Sequence, residues 1–261
     1  MSQVNISGSY VQDQRHESVS AKYNPIQASA VGEVMTANGL TLSSLSTGRA
    51  RHEDKRDFQK TLSRYRGPEI ANDGKPIFLD VVYSSKHMGR GTDQLWLGIY
   101  RMICTNGLIA GTNFFKFGVR HAGDTYNQLD AGIKQALAYQ AKLTELIEKA
   151  RSIELNPDSF KVLEDAAINA LVPSHAINVR HTLNRVRRLE DAGNSAWLVY
   201  NRIQENAMHG RIAYQVETKD ENGNFLELRH MTVRPVKVNT NRDTQLNQSL
   251  FDALEGVIKA A

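Results

Sequence analysis

Residues 77–121 constrain the fold of this chain more than any other segment. IFLDVVYS (77–84) and LWLGIYRMIC (95–104) are apolar and aromatic runs of strand length. FFKFGVRH (114–121) alternates Phe115, Phe117 and Val119 with Lys116 and Arg120. Period-two alternation marks a strand with one buried face, and short unbroken apolar runs mark strands buried on both. The Asp73-Gly74 and Asn106-Gly107 pairs tolerate left-handed backbone and punctuate these runs as turns. A twisted, mainly antiparallel sheet is therefore expected at the heart of the molecule.

Other segments add to it. Within residues 58–66, Phe58, Lys60, Leu62 and Arg64 alternate with Gln59, Thr61, Ser63 and Tyr65, which reads as a half-exposed strand. Strands at 211–218 and 225–238 form a hairpin around Asn222-Gly223. Helices are expected at 25–37, closed by Asn38-Gly39, and over 126–153. In the longer one Leu129, Ala136, Leu143 and Ala150 recur every seven residues beside Ile133 and Ile147, a stripe suited to a sheet, a bundle or a dimer seam. Asn156-Pro157 fits a helix start, with Phe160, Leu163, Ala167 and Leu171 on one side. Ala196, Trp197, Tyr200, Ile203 and Ala207 stripe another helix, and a last one runs over 243–260. The fold class is α+β, the sheet packed with long helices from 126 onward. Residues 1–23 lack periodicity and read as a flexible arm, and 24–261 as a single domain, with no internal repeat and no composition shift marking a linker.

Composition excludes several functional classes. The only cysteine, Cys104, sits in an apolar run, which rules out an intrachain disulfide and a cysteine zinc site. No apolar run reaches the roughly 20 residues of a membrane span, and the polar N-terminus lacks a signal core, so a cytoplasmic protein is expected. HExxH, GxSxG and CxxC motifs are absent, and Gly89-Arg90-Gly91 lacks the rest of a phosphate loop. The eight histidines are scattered, with no pair at metal-ligand spacing. The residues call for no catalytic set, no metal and no cofactor.

Basic segments are the better candidates. Arg49, Arg51, Lys55, Arg56, Lys60, Arg64 and Arg66 form the most positive stretch of a chain whose net charge is +4. On a strand, Lys60, Arg64 and Arg66 share a face with side chains roughly 7 Å apart per two residues. Such a row can neutralise phosphates and release counterions, with Tyr65 as a modest stacking platform. The competing reading is a charged outer face, or an edge strand protected by its cations. A second basic segment, NVRHTLNRVRR, contributes Arg185, Arg187 and Arg188.

FQKTLSRYR (58–66), GIYRMICTNGLIAG (98–111), GVRHAGD (118–124) and AWLVYNRIQENAMHG (196–210) occur here in one order. This pattern resembles a phage- and plasmid-like family, that of domain of unknown function 932, over residues 25–238. The Arg-x-x-Cys-x-Asn-Gly block (Arg101, Cys104, Asn106, Gly107), His121, and the Asn-x-x-Gln-Glu-Asn block (Asn201, Gln204, Glu205, Asn206) carry the likeness. Thr61 stands where members often show His. Tyr83-Ser84-Ser85-Lys86-His87-Met88-Gly89 stands where they often show an Asn-Ser-His-Asp-Gly-like run. The resemblance implies a mobile-element origin and no particular activity.

Two functions follow as expectations. The first is a nucleic-acid-binding protein of phage DNA metabolism, a recombination or strand-annealing accessory that oligomerises and prefers single-stranded to double-stranded DNA. The second is a protein-interaction factor that inhibits a host defence protein. A third, enzymatic reading would gather Arg101, Asn106, His121 and Glu205 in one pocket.

Overall fold

The computed structural model describes residues 17–47, 60–72, 76–85, 91–101, 108–109, 115–237 and 241–261. They fall into two compact units, one up to Leu143 and one from Thr144 onward. The division had no compositional mark because its boundary lies inside a regular helix and not in a Pro- or Gly-rich linker.

The first unit is built on an antiparallel sheet of β1 (Thr41–Thr47), β2 (Thr61–Asn72), β3 (Pro76–Ser85), β4 (Asp93–Arg101), β5 (Leu108–Ile109) and β6 (Lys116–Val119). The strands pair in the order β1-β2-β3-β4-β5, and β6 pairs with the first half of β4. Register explains which residues are buried together. Val82 lies opposite Trp96 on β4, and both cluster with Leu62 of β2. On the other face Leu79, Val81, Leu95, Leu97 and Ile99 are fully buried. Helix α1 (Ala28–Ala37) contacts β1, and helix α2 (Thr125–Ala138) contacts β4 and β6. Gly132 allows the close approach of α2, since a Cβ there would lie 2.6 Å from the Phe117 ring and 2.7 Å from Leu95. Asp124 caps α2 by accepting from the Asn127 N–H at 3.0 Å.

The strand expected at 58–66 runs over Thr61–Asn72, and its half-exposed character is corrected. Thr61 through Tyr65 are all buried, so both faces of this part of β2 are covered, and β1 and β3 pair with its two edges. The helix expected over 126–153 is two helices, α2 and α3 (Gln140–Ser152), separated at Tyr139, whose N–H bonds back to Ala136 O in a tightened turn. The stripe of Leu129, Ile133, Ala136, Leu143, Ile147 and Ala150 is fully buried within the chain, so it is not a free dimer seam. Residues 17–23 of the expected arm do not all hang free: Tyr23 stacks on His121 with ring centroids 4.4 Å apart. Residues 1–16 lie outside the described residues.

In the second unit, helices α4 (Pro157–Leu171), α5 (Ala196–Met208) and α6 (Asn241–Ala260) contact one another beside a sheet ordered β7 (Ile177–His181), β8 (Ile212–Lys219), β9 (Phe225–Thr232). Asn156 caps α4 as expected, accepting from Ser159 N–H at 2.9 Å. Helix α5 is central, with every residue but Leu198 buried. Gly210 ends it in the left-handed region at φ +70°, and a Cβ there would lie 2.2 Å from the Val233 carbonyl oxygen. The hairpin turns at Asn222-Gly223 as expected, with Asp220 Oδ1 accepting from the N–H groups of Asn222 and Asn224. The second strand stops at Thr232 instead of 238. The chain beyond it buries Val233 and Val236 in irregular backbone around Pro235. Among the described residues no helix is long and apolar enough to cross a membrane.

Candidate functional site

The basic strand is the first candidate. Arg49, Arg51, Lys55 and Arg56 lie outside the described residues. Lys60 is exposed just before β2. Arg64 and Arg66 do share a face, but it is an inner one. Arg64 is 4% exposed, and Arg66 lies directly across from Asp80 of β3, its Nε donating to Oδ1 at 2.7 Å. The Arg66 guanidinium also sits over the Phe78 ring at 5.1 Å. Burial raises the Asp80 pKa, opposed by Arg66 and more weakly by Arg64. These arginines serve charge balance inside the sheet, and β2 offers no row of open cations there.

A second cluster lies at the end of the same sheet. Asp93, fully buried, accepts from Tyr83 Oη, from Ser85 Oγ at 3.0 Å, and faces His121 Nε2 at 2.9 Å. His121 Nδ1 lies 3.3 Å from the Asn24 carbonyl oxygen. Burial, then the Asp93 charge, pushes the phenols of Tyr83 and Tyr23 well above their ordinary value. Thr61 and Ser85, two positions where the chain departs from the pattern it resembles, are cross-strand partners here. Asp93 had no signal in the sequence, being one acid in a polar turn. Among the described residues no group of three or more His, Cys, Asp or Glu is placed to hold a metal ion. The side chain of Arg101 and all of Cys104, Asn106 and Gly107 fall outside the described residues. His121 belongs to the first unit and Glu205 to the second, each held in its own network.

The third candidate is an arginine pocket in the second unit. It is built from the end of α5 outward. Asn206, 1% exposed, donates through Nδ2 to the carbonyls of Leu183 and Arg185, both at 2.8 Å, and to Arg202 O at 3.0 Å. Arg202 holds the same segment further along. Its Nε and Nη2 donate to Asn184 Oδ1 at 3.0 and 2.8 Å, and its Nη1 donates to the carbonyls of Asp191, at 2.8 Å, and Gly193. Glu205 accepts from Arg188 Nη2 at 2.7 Å. Thr182 N–H donates to Arg211 O, and Arg211 N–H to Asn206 O. The rest of the Asn-x-x-Gln-Glu-Asn block anchors the helix, Asn201 donating to Trp197 O at 2.6 Å and Gln204 to Asn247 Oδ1 at 3.2 Å.

Bound this way at its backbone, the 183–188 segment exposes Arg185 and Arg187, while Arg188 turns to Glu205. Arg185, Val186, Arg187, Asn206 and Arg211 line a pocket of ≈ 250 Å³. No carboxylate lines it, and Arg185, Arg187 and Arg211 make no ion pair among the described residues. His209 beside it registers the field. Burial, then Arg187, holds its imidazole below the ordinary value, with Arg211 and Arg188 acting the same way and Glu205 opposing. The sequence reading held Arg185, Arg187, Arg188, Glu205 and Asn206 but missed Arg211, Arg202 and Asn184. The only available signal for Arg211 was its place directly after the helix-ending Gly210.

The family model described as Domain of unknown function (DUF932) matches residues 15–251. Two proteins of Escherichia coli (strain K12), UPF0380 protein YafZ and UPF0380 protein YfjQ, are each 27% identical over 202 residues, covering 77% of this chain and 73% of theirs. No solved structure matches. The chain belongs to the DUF932 family.

Proposed function

We propose that this DUF932 protein binds nucleic acid through its phosphate backbone, with the pocket of Arg185, Arg187 and Arg211 as the contact. The observation that carries the reading is three arginines lining one pocket with no lining carboxylate, Arg185 and Arg187 on a segment fixed from beneath by Asn206 and Arg202, and Arg211 tied to the end of α5. Guanidinium forks pair bidentately with phosphate oxygens, and the Asn206 backbone and fixed loop hold them in place. A pocket, unlike a long groove, suits a flexible single strand that can bring one or two phosphates into it ahead of a stiff duplex. A cytoplasmic accessory in DNA recombination or strand annealing fits this chemistry.

Fluorescence anisotropy with single- and double-stranded oligonucleotides at several salt concentrations tests it. Each phosphate contact on a single strand adds about 0.7 to the slope of log affinity against log salt. Arg185→Ala/Arg187→Ala/Arg211→Ala is therefore expected to lower that slope by about 2, at every oligonucleotide sequence alike. No binding by the unaltered protein at low salt overturns the proposal and leaves the protein-interaction factor against a host defence system as the reading to pursue.

A pH dependence follows from His209. Burial and then the neighbouring arginines lower its pKa, and an anion in the pocket offsets the arginines' part. The complex then holds more protons than the free protein, so affinity rises as pH falls through the histidine range. The His209 ring resonances, titrated by NMR with and without inorganic phosphate, are expected to show the higher pKa in phosphate.

A further inference from the structure

We propose that β9 is a homodimer interface, pairing antiparallel with β9 of a second copy about a two-fold axis through Leu228. This is independent of the nucleic-acid reading, since none of its residues lines the arginine pocket. Among the described residues strand β9 is the edge of its sheet, with β8 as its one neighbour. All eight of its residues are exposed, and four are large and apolar: Phe225 at 57%, Leu226 at 61%, Leu228 at 39% and Met231 at 36%. An edge with unpaired backbone groups and apolar side chains on both faces is a template for another strand.

The identity of that strand follows from the order of side chains. A two-fold axis perpendicular to the sheet keeps each face on its own side, so cross-strand partners must be an even number of residues apart. With the axis at Leu228, Glu227 lies opposite Arg229 of the second copy, twice by symmetry; the irregularity between Glu227 and Phe225 leaves Phe225 outside the regular part of the strand. Leu228 meets its own copy. Glu227 and Arg229 then each gain an opposite charge and Leu228 an apolar neighbour, while Leu226 lies opposite His230. Moving the axis by one residue either way sets Glu227 against Glu227, or Arg229 against Arg229, which disfavours those registers. Neither Glu227 nor Arg229 makes an ion pair among the described residues. A second copy is thus a partner whose charges match this strand.

Sedimentation of the full chain is expected to show a dimer. Arg229→Glu places like charges in both symmetric pairs and is expected to weaken it on the order of tenfold. Glu227→Arg/Arg229→Glu reverses both partners and is expected to restore it. For direct register, Leu228→Cys in a Cys104→Ser background places two sulfurs on the axis. Directly opposed residues lie about 4.5–5.5 Å apart, within disulfide reach, so oxidation is expected to give a covalent dimer on a non-reducing gel. A monomer at all concentrations overturns the proposal. So does a dimer indifferent to Arg229→Glu that yields no Leu228→Cys cross-link, because it must use another surface.

Discussion

Asp93→Ala is expected to cost the first unit about 3–5 kcal/mol of unfolding free energy, the range for removing one partner of a buried charged network. Asp93 is fully buried and takes donors from three directions: the Tyr83 hydroxyl, the Ser85 hydroxyl and His121 Nε2. Alanine leaves all three facing an apolar void, and water reaching that void would have to satisfy them from a single point. Asp93→Asn keeps the volume but presents an amide nitrogen to one of those donors, so an intermediate loss is expected. The effect also has a direction. His121 is the link between Asp93 and residues near the N-terminus: it bonds to the Asn24 carbonyl oxygen, accepts the stack of Tyr23, and its own carbonyl takes the Asn24 N–H. Freeing the ring should release Tyr23 first. Hydrogen exchange at Asn24 is therefore expected to quicken by more than that of the β3 core amides. Equal acceleration at both places would show that Asp93 stabilises the sheet as a whole without holding the N-terminal segment.

What could be read from the sequence follows the strength of periodic signals. Strands β3 and β4 announce themselves by unbroken apolar runs, and α4 by its Asn-Pro start, because those features arise from local chemistry. Strand β1 does not. TLSSLST has small hydroxyl side chains and two leucines, and nothing local distinguishes it from a loop. Its absence from the reading had a consequence: without β1, β2 looked like an outer strand, and the alternation of Arg64 and Arg66 looked like an exposed basic row. Once β1 and β3 flank it, the same alternation faces Asp80. The break at Tyr139 is silent because the seven-residue stripe continues through it. The division into two units is silent because its boundary falls within α3.

The arginine pocket shows the same limit at the level of a site. Arg185 and Arg187 stand in a visibly basic segment, and Asn206 stands in a recognisable block. What joins them to Arg211 is the wrapping of residues 182–188 around the end of α5, a long-range contact that no period encodes. Charge in the sequence pointed to two places, and the fold separates them by what lies opposite. A carboxylate faces Arg66, whereas none lines the pocket of Arg185, Arg187 and Arg211.

Arg202 is where that pocket is most open to test without touching its lining. Arg202→Ala is expected to destabilise the second unit by about 3–5 kcal/mol and to abolish most oligonucleotide binding. Its side chain is 4% exposed, and its guanidinium joins Asn184 to the carbonyls of Asp191 and Gly193, across the turn that follows the pocket segment. Burial lowers its pKa, with Asp191 opposing, so it is a cation kept in place by its hydrogen bonds. Arg202→Lys keeps the charge but has one ammonium where the fork reaches three acceptors, so it should recover little of the loss. Arg202→Met keeps the length without the charge and leaves Asn184 Oδ1 and both carbonyls without these donors. Urea unfolding and anisotropy on the same variants separate the two roles. If Arg202 positions the pocket, binding falls for Arg202→Lys under conditions where the protein is still folded, and the salt slope falls with it. Lysine and methionine variants that are folded and bind with the unaltered slope would show that Arg202 supports the helix alone, and that the segment bearing Arg185 and Arg187 is held well enough by Asn206.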